Sequence, residues 1–298
     1  MTKRISVTVL FLLIIISCCW FFLKGKDFYE TSFETSVAPG VVYEKISSWK
    51  FKKFREVEMV QKMPFYSIRQ KIDFRKETTF LYWSFIPLND SITQVKLKAV
   101  SANSSFKDRL KRLFKNDRLE QSLETEVAQL QETLISDKSL YSVDINGKSI
   151  SPESTCACIS LNGKTDEKAF KMMISIDHLS NFVLKHELET TGRPRVVVQK
   201  WDLEKDFMAF DFCFPVMPEK QPQHPLIFFR KIPALPSFKA TFKGNYMFSH
   251  FGWYELMNYA QQNDFEIQPI PQEIFYDNPE MGGDSRNWKA EIFLPIKQ

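Results

Sequence analysis

Three observations predict an α+β fold in three parts: a charge-free run over residues 5–23, a leucine stripe closing a series of strand-like runs before residue 137, and a strand pattern that occurs around Asp211 and again around Glu291. They give a membrane anchor at 1–27 with an N-terminal transmembrane helix, a helix-grip unit at 28–137, a linker at 138–152 and a duplicated βαββ unit at 153–298.

The run from Ile5 to Leu23 has no charged residue. At about 1.5 Å per residue it spans the roughly 30 Å hydrocarbon core of a bilayer. Lys3 and Arg4 precede it, and Trp20, Lys24 and Lys26 stand at its far boundary, the flanks a single-pass segment uses. A cleaved signal peptide is the competing reading, because Ile15-Ile16-Ser17-Cys18 approximates a lipoprotein cleavage motif. The apolar run continues through Trp20-Phe21-Phe22-Leu23, which a cleavage site does not need, so an uncleaved anchor is expected. Both flanks are basic, so they leave the membrane side of the soluble units open.

In the first soluble unit, Phe28 to Val37 alternates like a strand, and Ala38-Pro39-Gly40 turns into a short helix carrying Val41, Val42 and Ile46. Strand-like runs follow at 57–60, 66–72, 78–86 and 93–100. Leu119, Leu123, Val127, Leu130 and Leu134 recur at three- and four-residue spacing, one stripe of a long helix laid on that sheet. Leu81, Trp83 and Phe85 share a strand face and are expected to fill the interior.

In the C-terminal half, residues 207–216 and 287–296 match in register, Asp211 with Glu291 and Phe214-Pro215-Val216 with Leu294-Pro295-Ile296. Each is preceded by a turn glycine (Gly163, Gly244), a helical stretch (166–190, 249–263) and a Pro-led strand (194–201, 271–276). The Pro-rich passage from Pro215 to Pro236 joins the copies and carries Leu226-Ile227-Phe228-Phe229 as a strand-like insert. In the last strand Trp288, Ala290, Ile292, Leu294 and Ile296 form one face, expected to cover a helix, and Lys289, Glu291 and Phe293 form the other. A partly desolvated acid beside aromatic rings suits a cationic or apolar guest.

Phe242-Lys243-Gly244-Asn245-Tyr246, Trp253-Tyr254-Glu255-Leu256, Ile274-Phe275-Tyr276-Asp277-Asn278-Pro279, Ala290-Glu291-Ile292 and Leu294-Pro295-Ile296 together resemble the GyrI-like (gyrase-inhibitor-like) effector-binding domains, over roughly residues 150 to 298. The resemblance implies that Glu291 meets a ligand's positive charge and that Tyr276 lines the pocket. Ser36-Val37-Ala38-Pro39, Val41-Val42-Tyr43, Leu81-Tyr82-Trp83-Ser84-Phe85 and Thr93-Gln94-Val95 resemble the START-like, polyketide-cyclase-like (SRPBCC) family, which implies a helix-grip fold.

The candidate ligand-binding residues are therefore Glu291, Tyr276, Tyr246, Trp253 and Asp211. Three of them have a plainer reading: Glu291 as a surface acid, Trp253 as core beside Leu256, Met257 and Ala260, and Tyr246 as a seal on the turn after Gly244. Forty basic against 36 acidic residues give only +4, with no aromatic-interleaved basic stripe, so no nucleic-acid partner is expected. The four histidines are scattered, and the five cysteines suggest neither a disulfide framework nor a metal site, with Cys213 expected as a small buried apolar residue. No metal or cofactor is expected. The function expected is membrane-tethered binding of a small apolar molecule, a cation included. The alternatives are a hydrolase of small electrophiles using Glu291 and Asp211, and a protein-interaction module.

Overall fold

A computed structural model describes residues 28–54, 56–74, 77–102, 118–217 and 219–297. The expected membrane helix at 5–23 lies outside them. Among the described residues no helix is long and apolar enough to cross a membrane.

The first unit runs β1 (Phe28–Thr35), α1 (Pro39–Ser48), β2 (Val57–Met63), β3 (Ser67–Phe74), β4 (Glu77–Pro87), β5 (Thr93–Ser101) and α2 (Arg118–Lys138). Its antiparallel sheet has the order β1-β5-β4-β3-β2. Period-two alternation on β4 buries Leu81, Trp83 and Phe85, and the α2 stripe buries Leu123, Val127, Leu130 and Leu134. Trp83 is core, and its indole N–H donates to Gln70 Oε1 at 2.9 Å.

The second unit holds β6 (Tyr141–Ile150), β7 (Ser154–Gly163), α3 (Lys168–Lys185), β8 (Arg195–Asp202), β9 (Phe207–Pro215), β10 (Phe228–Ile232), β11 (Pro236–Gly244), α4 (Phe251–Gln262), β12 (Gln272–Phe275) and β13 (Lys289–Pro295). Its eight-stranded sheet runs β10-β7-β9-β8-β12-β13-β11-β6. The expected duplication is visible in it, as β7-α3-β8-β9 beside β11-α4-β12-β13, with β8 and β12 antiparallel neighbours at the centre. At Gly244 the backbone takes φ +147, and an added Cβ would lie 2.7 Å from Tyr141 Cβ, so the turn glycine is required.

The stretch 138–152, expected as a loop or short strand between the units, holds β6, which pairs with β11 from Tyr141↔Gly244 to Pro236↔Ile150 and adds an edge to the sheet. Its inward residues Tyr141, Val143 and Ile145 alternate with polar ones, a half-buried edge pattern. The expectation for the cysteines is corrected. Cys213 is not a lone thiol. It faces Cys158 across β7 and β9 at a Cα separation of 4.1 Å and is bonded to it, while Cys156 stays free and buried.

Helices α3 and α4 lie on one face of this sheet. That face carries Ala290, Ile292 and Leu294, all fully buried, as the parity of the last strand predicts. The other face carries Glu291, Asp211 and the disulfide. The two units touch through α1 and α4, where Gly40 approaches so closely that a Cβ would sit 2.5 Å from Tyr254 Cγ.

Candidate functional site

Register places Glu291 between Thr241 of β11 and Ile274 of β12, on the face away from the helices. Its Oε1 receives Lys239 Nζ at 3.0 Å and Lys289 Nζ at 3.1 Å, and Tyr276 bonds to the same carboxylate. Partial burial by itself would raise the acid's pKa; the bonds from Lys239, Lys289 and Tyr276 outweigh it and leave the value below the usual carboxylate range. Lys289 Nζ also lies 4.3 Å from the Tyr276 ring centroid. One ammonium is thus held by a carboxylate and an aromatic face together, with 38% of its side chain exposed.

Asp211 shares the sheet face but not the place. From β13 to β9 there are three inter-strand steps, roughly 14 Å. Asp211 is engaged by Arg230 Nη1 at 2.6 Å and Ser160 Oγ at 2.7 Å. Two acids so separated, each with its own cations or donors, do not form one acid–base pair. Tyr246 is buried in the turn after β11; its hydroxyl donates to Lys289 O at 2.7 Å and accepts from the Asp277 N–H at 3.0 Å. Burial pushes that hydroxyl far above its ordinary pKa. Trp253 is fully buried on the helix side. Of the five predicted residues, then, Glu291 and Tyr276 come together, Tyr246 braces the strand beside them, and Asp211 and Trp253 lie elsewhere.

A second charged group lies on the helix side of β12, and the sequence reading missed it. Lys168, the first residue of α3, forms a short ion pair with Glu273 Oε2. The two side chains are 1% and 0% exposed. Lys168 Nζ also donates to Ser249 Oγ at 2.7 Å and lies 4.6 Å from the Trp253 ring and 5.8 Å from the Phe275 ring. Glu273 Oε1 accepts the Trp253 indole N–H at 2.8 Å. Burial pushes the Lys168 ammonium below its ordinary pKa, and Glu273 opposes the shift. The available signal was parity: Glu273 falls on the same strand face as the apolar Phe275.

Where the units meet, Glu44 of α1 takes His250 Nε2 at 3.1 Å and the Tyr254 hydroxyl at 2.7 Å. Burial would raise Glu44, but His250 and Tyr254 outweigh it and hold the acid below its usual value. Beside it, burial lifts Glu255 from 4.5 to about 7, against the pull of Lys138 and the Ala38 N–H. A carboxyl raised on folding costs almost nothing below its unfolded pKa; its penalty grows as pH rises from the unfolded to the folded value and is complete above the latter. Glu255→Gln is therefore expected to stabilise the chain by about 3 kcal/mol at pH 8 and by less than about 0.5 kcal/mol at pH 4.5. Thermal unfolding of both proteins at the two pH values checks this; a gain of equal size at both would assign it to packing.

No protein-family model matches this chain, and no curated protein does. Solved structures are similar to it in part. The EcmrR C-terminal domain superposes with a TM-score of 0.44 at 21% identity, over 53% of this chain and 99% of that one. EcmrR in its DNA complex gives 0.45 at 21% identity, over 66% and 73%. SAV2435 bound to tetraphenylphosphonium gives 0.34 at 11% identity, over 53% and 93%. Among the described residues no cluster of three His, Cys, Asp or Glu side chains could hold a metal ion.

Proposed function

We propose that this chain is a membrane-tethered binding protein for a small apolar molecule, and that a cationic member of that class is received by Glu291 and Tyr276. The observation that carries the reading is the Lys289 ammonium, held at once by the Glu291 carboxylate and the Tyr276 ring. A lipophilic cation finds there the two groups that bind a cation best. The partly exposed Lys289 stem can swing out to admit it. Tyr246 keeps the strand in place by its bond to Lys289 O. Asp211 and Trp253 are outside this contact and serve the sheet and the core.

The tether in this proposal is residues 5–23. The Cys158–Cys213 disulfide supports placing the soluble units on the oxidising side of that membrane. The βαββ duplication and the order of β1, α1, four further strands and α2 support kinship with the GyrI-like and SRPBCC families respectively. Nucleic acid has no part in the proposal. Hydrolysis by an Asp211–Glu291 pair is disfavoured by their separation.

Titration of the full-length chain with a matched cationic and neutral dye pair tests it. Glu291→Gln is expected to weaken the cation 10- to 100-fold, or about 1.4–2.8 kcal/mol, and the neutral dye little. Tyr276→Ala should weaken both, since ring contact area serves either guest. Lys289→Met should tighten the cation by removing its built-in competitor. Equal losses for both dyes in Glu291→Gln would return the acid to a surface ion pair and end the proposal.

A further inference from the structure

We propose that the Lys168 ammonium is the internal occupant of a preformed binding box for a primary alkylammonium, built by Glu273, Trp253, Phe275 and Ser249, which accepts a free alkylammonium once the lysine side chain is cut back. The box lies on the opposite sheet face from Glu291, so this inference stands or falls apart from the Glu291 reading.

Helix electrostatics do not account for the lysine. It sits in the first turn of α3, where the macrodipole disfavours a cation. It is also removed from water. The surrounding groups must offset both effects, and the hydroxyl, the carboxylate and the indole are each aimed by a neighbour other than Lys168. The Ser249 hydroxyl donates its own hydrogen to Tyr246 O at 3.0 Å, which leaves its lone pairs for an incoming N–H. The Trp253 indole holds one Glu273 oxygen, which directs the other at the ammonium. Trp253 is itself fixed edge-to-face by Trp201 at 5.1 Å, and Trp201 is tied to Thr165 Oγ1 at 3.0 Å. Carboxylate, hydroxyl and two ring faces make a complete shell for one ammonium, and the shell does not need the lysine to orient it.

Lys168→Ala deletes three carbons and the nitrogen, the heavy atoms of n-propylammonium. In the detergent-solubilised full-length variant, n-propylammonium is expected to raise Tm saturably, by at least about 3 °C at tens of millimolar. Equimolar n-propanol with matched sodium chloride should not, and wild type should respond to neither. In Lys168→Ala/Glu273→Gln the ammonium should lose its advantage over the alcohol. If Lys168→Ala does not stay folded, refolding from urea is followed by tryptophan fluorescence, and recovery with the ammonium but not the alcohol is the supporting result. A variant indifferent to n-propylammonium, or one that n-propanol rescues equally, overturns the proposal and leaves Lys168 as one half of a structural ion pair.

Discussion

Replacing Glu273 with leucine is expected to destabilise the chain by about 3–5 kcal/mol at pH 7, the range for removing one partner of a buried pair. The Lys168 ammonium would then face a hydroxyl and two rings with no counter-charge. Its escape is to lose its proton. From an ordinary value of 10.5, neutralisation at pH 7 costs about 5 kcal/mol, which caps the loss. The converse change, Lys168→Met, leaves the buried acid without its cation and should also destabilise the chain. Glu273→Leu should improve from pH 7 to 9, because neutralising the stranded ammonium becomes cheaper as pH approaches its ordinary value. The double variant Lys168→Met/Glu273→Leu, apolar and of similar volume, should recover most of the loss. Urea unfolding of the three variants measures this cycle. Additive losses would mean that the two groups do not act as a pair.

This pair also shows where the sequence stopped being informative. Local pattern sufficed for the elements: alternation at 78–86 became β4, and the leucine stripe from 119 became the buried face of α2. The internal repeat gave the succession of elements in each copy, because each copy has its own turn, helix and strand signals. Chemistry that depends on contact between copies was not legible. Lys168 and Glu273 are 105 residues apart, and each alone looks like an ordinary surface charge. The same holds for Glu44, which reaches His250 and Tyr254 from the other unit. Parity put Glu291 on the correct face but could not reveal Lys239, which arrives from a different strand. Asp211 matched Glu291 in register within the repeat, yet the sheet order sets three strand spacings between them.

Replacing Cys158 and Cys213 together with alanine is expected to destabilise the second unit by about 4 kcal/mol, the chain-entropy value for a closed loop of 55 residues. The loop spans all of α3 and β8, so opening it frees in the unfolded state a segment that the native sheet must recapture. Against a usual net stability of about 5–15 kcal/mol, that loss is large. The partners face each other on neighbouring antiparallel strands and are fully buried, so reduction in the folded state should be slow and the effect should appear mainly in the unfolding equilibrium. Cys156→Ser provides the contrast: this thiol is free and lies two residues along the same strand face, and its loss should leave the crosslink intact. Thiol counting on the denatured full-length chain settles whether the bond forms in the cell. Of five cysteines, those at 158 and 213 should react with an alkylating reagent only after reduction. Five reactive thiols without reductant would mean that the second unit matures in a reducing compartment, and the proposed placement on the oxidising side of the membrane would fail with it.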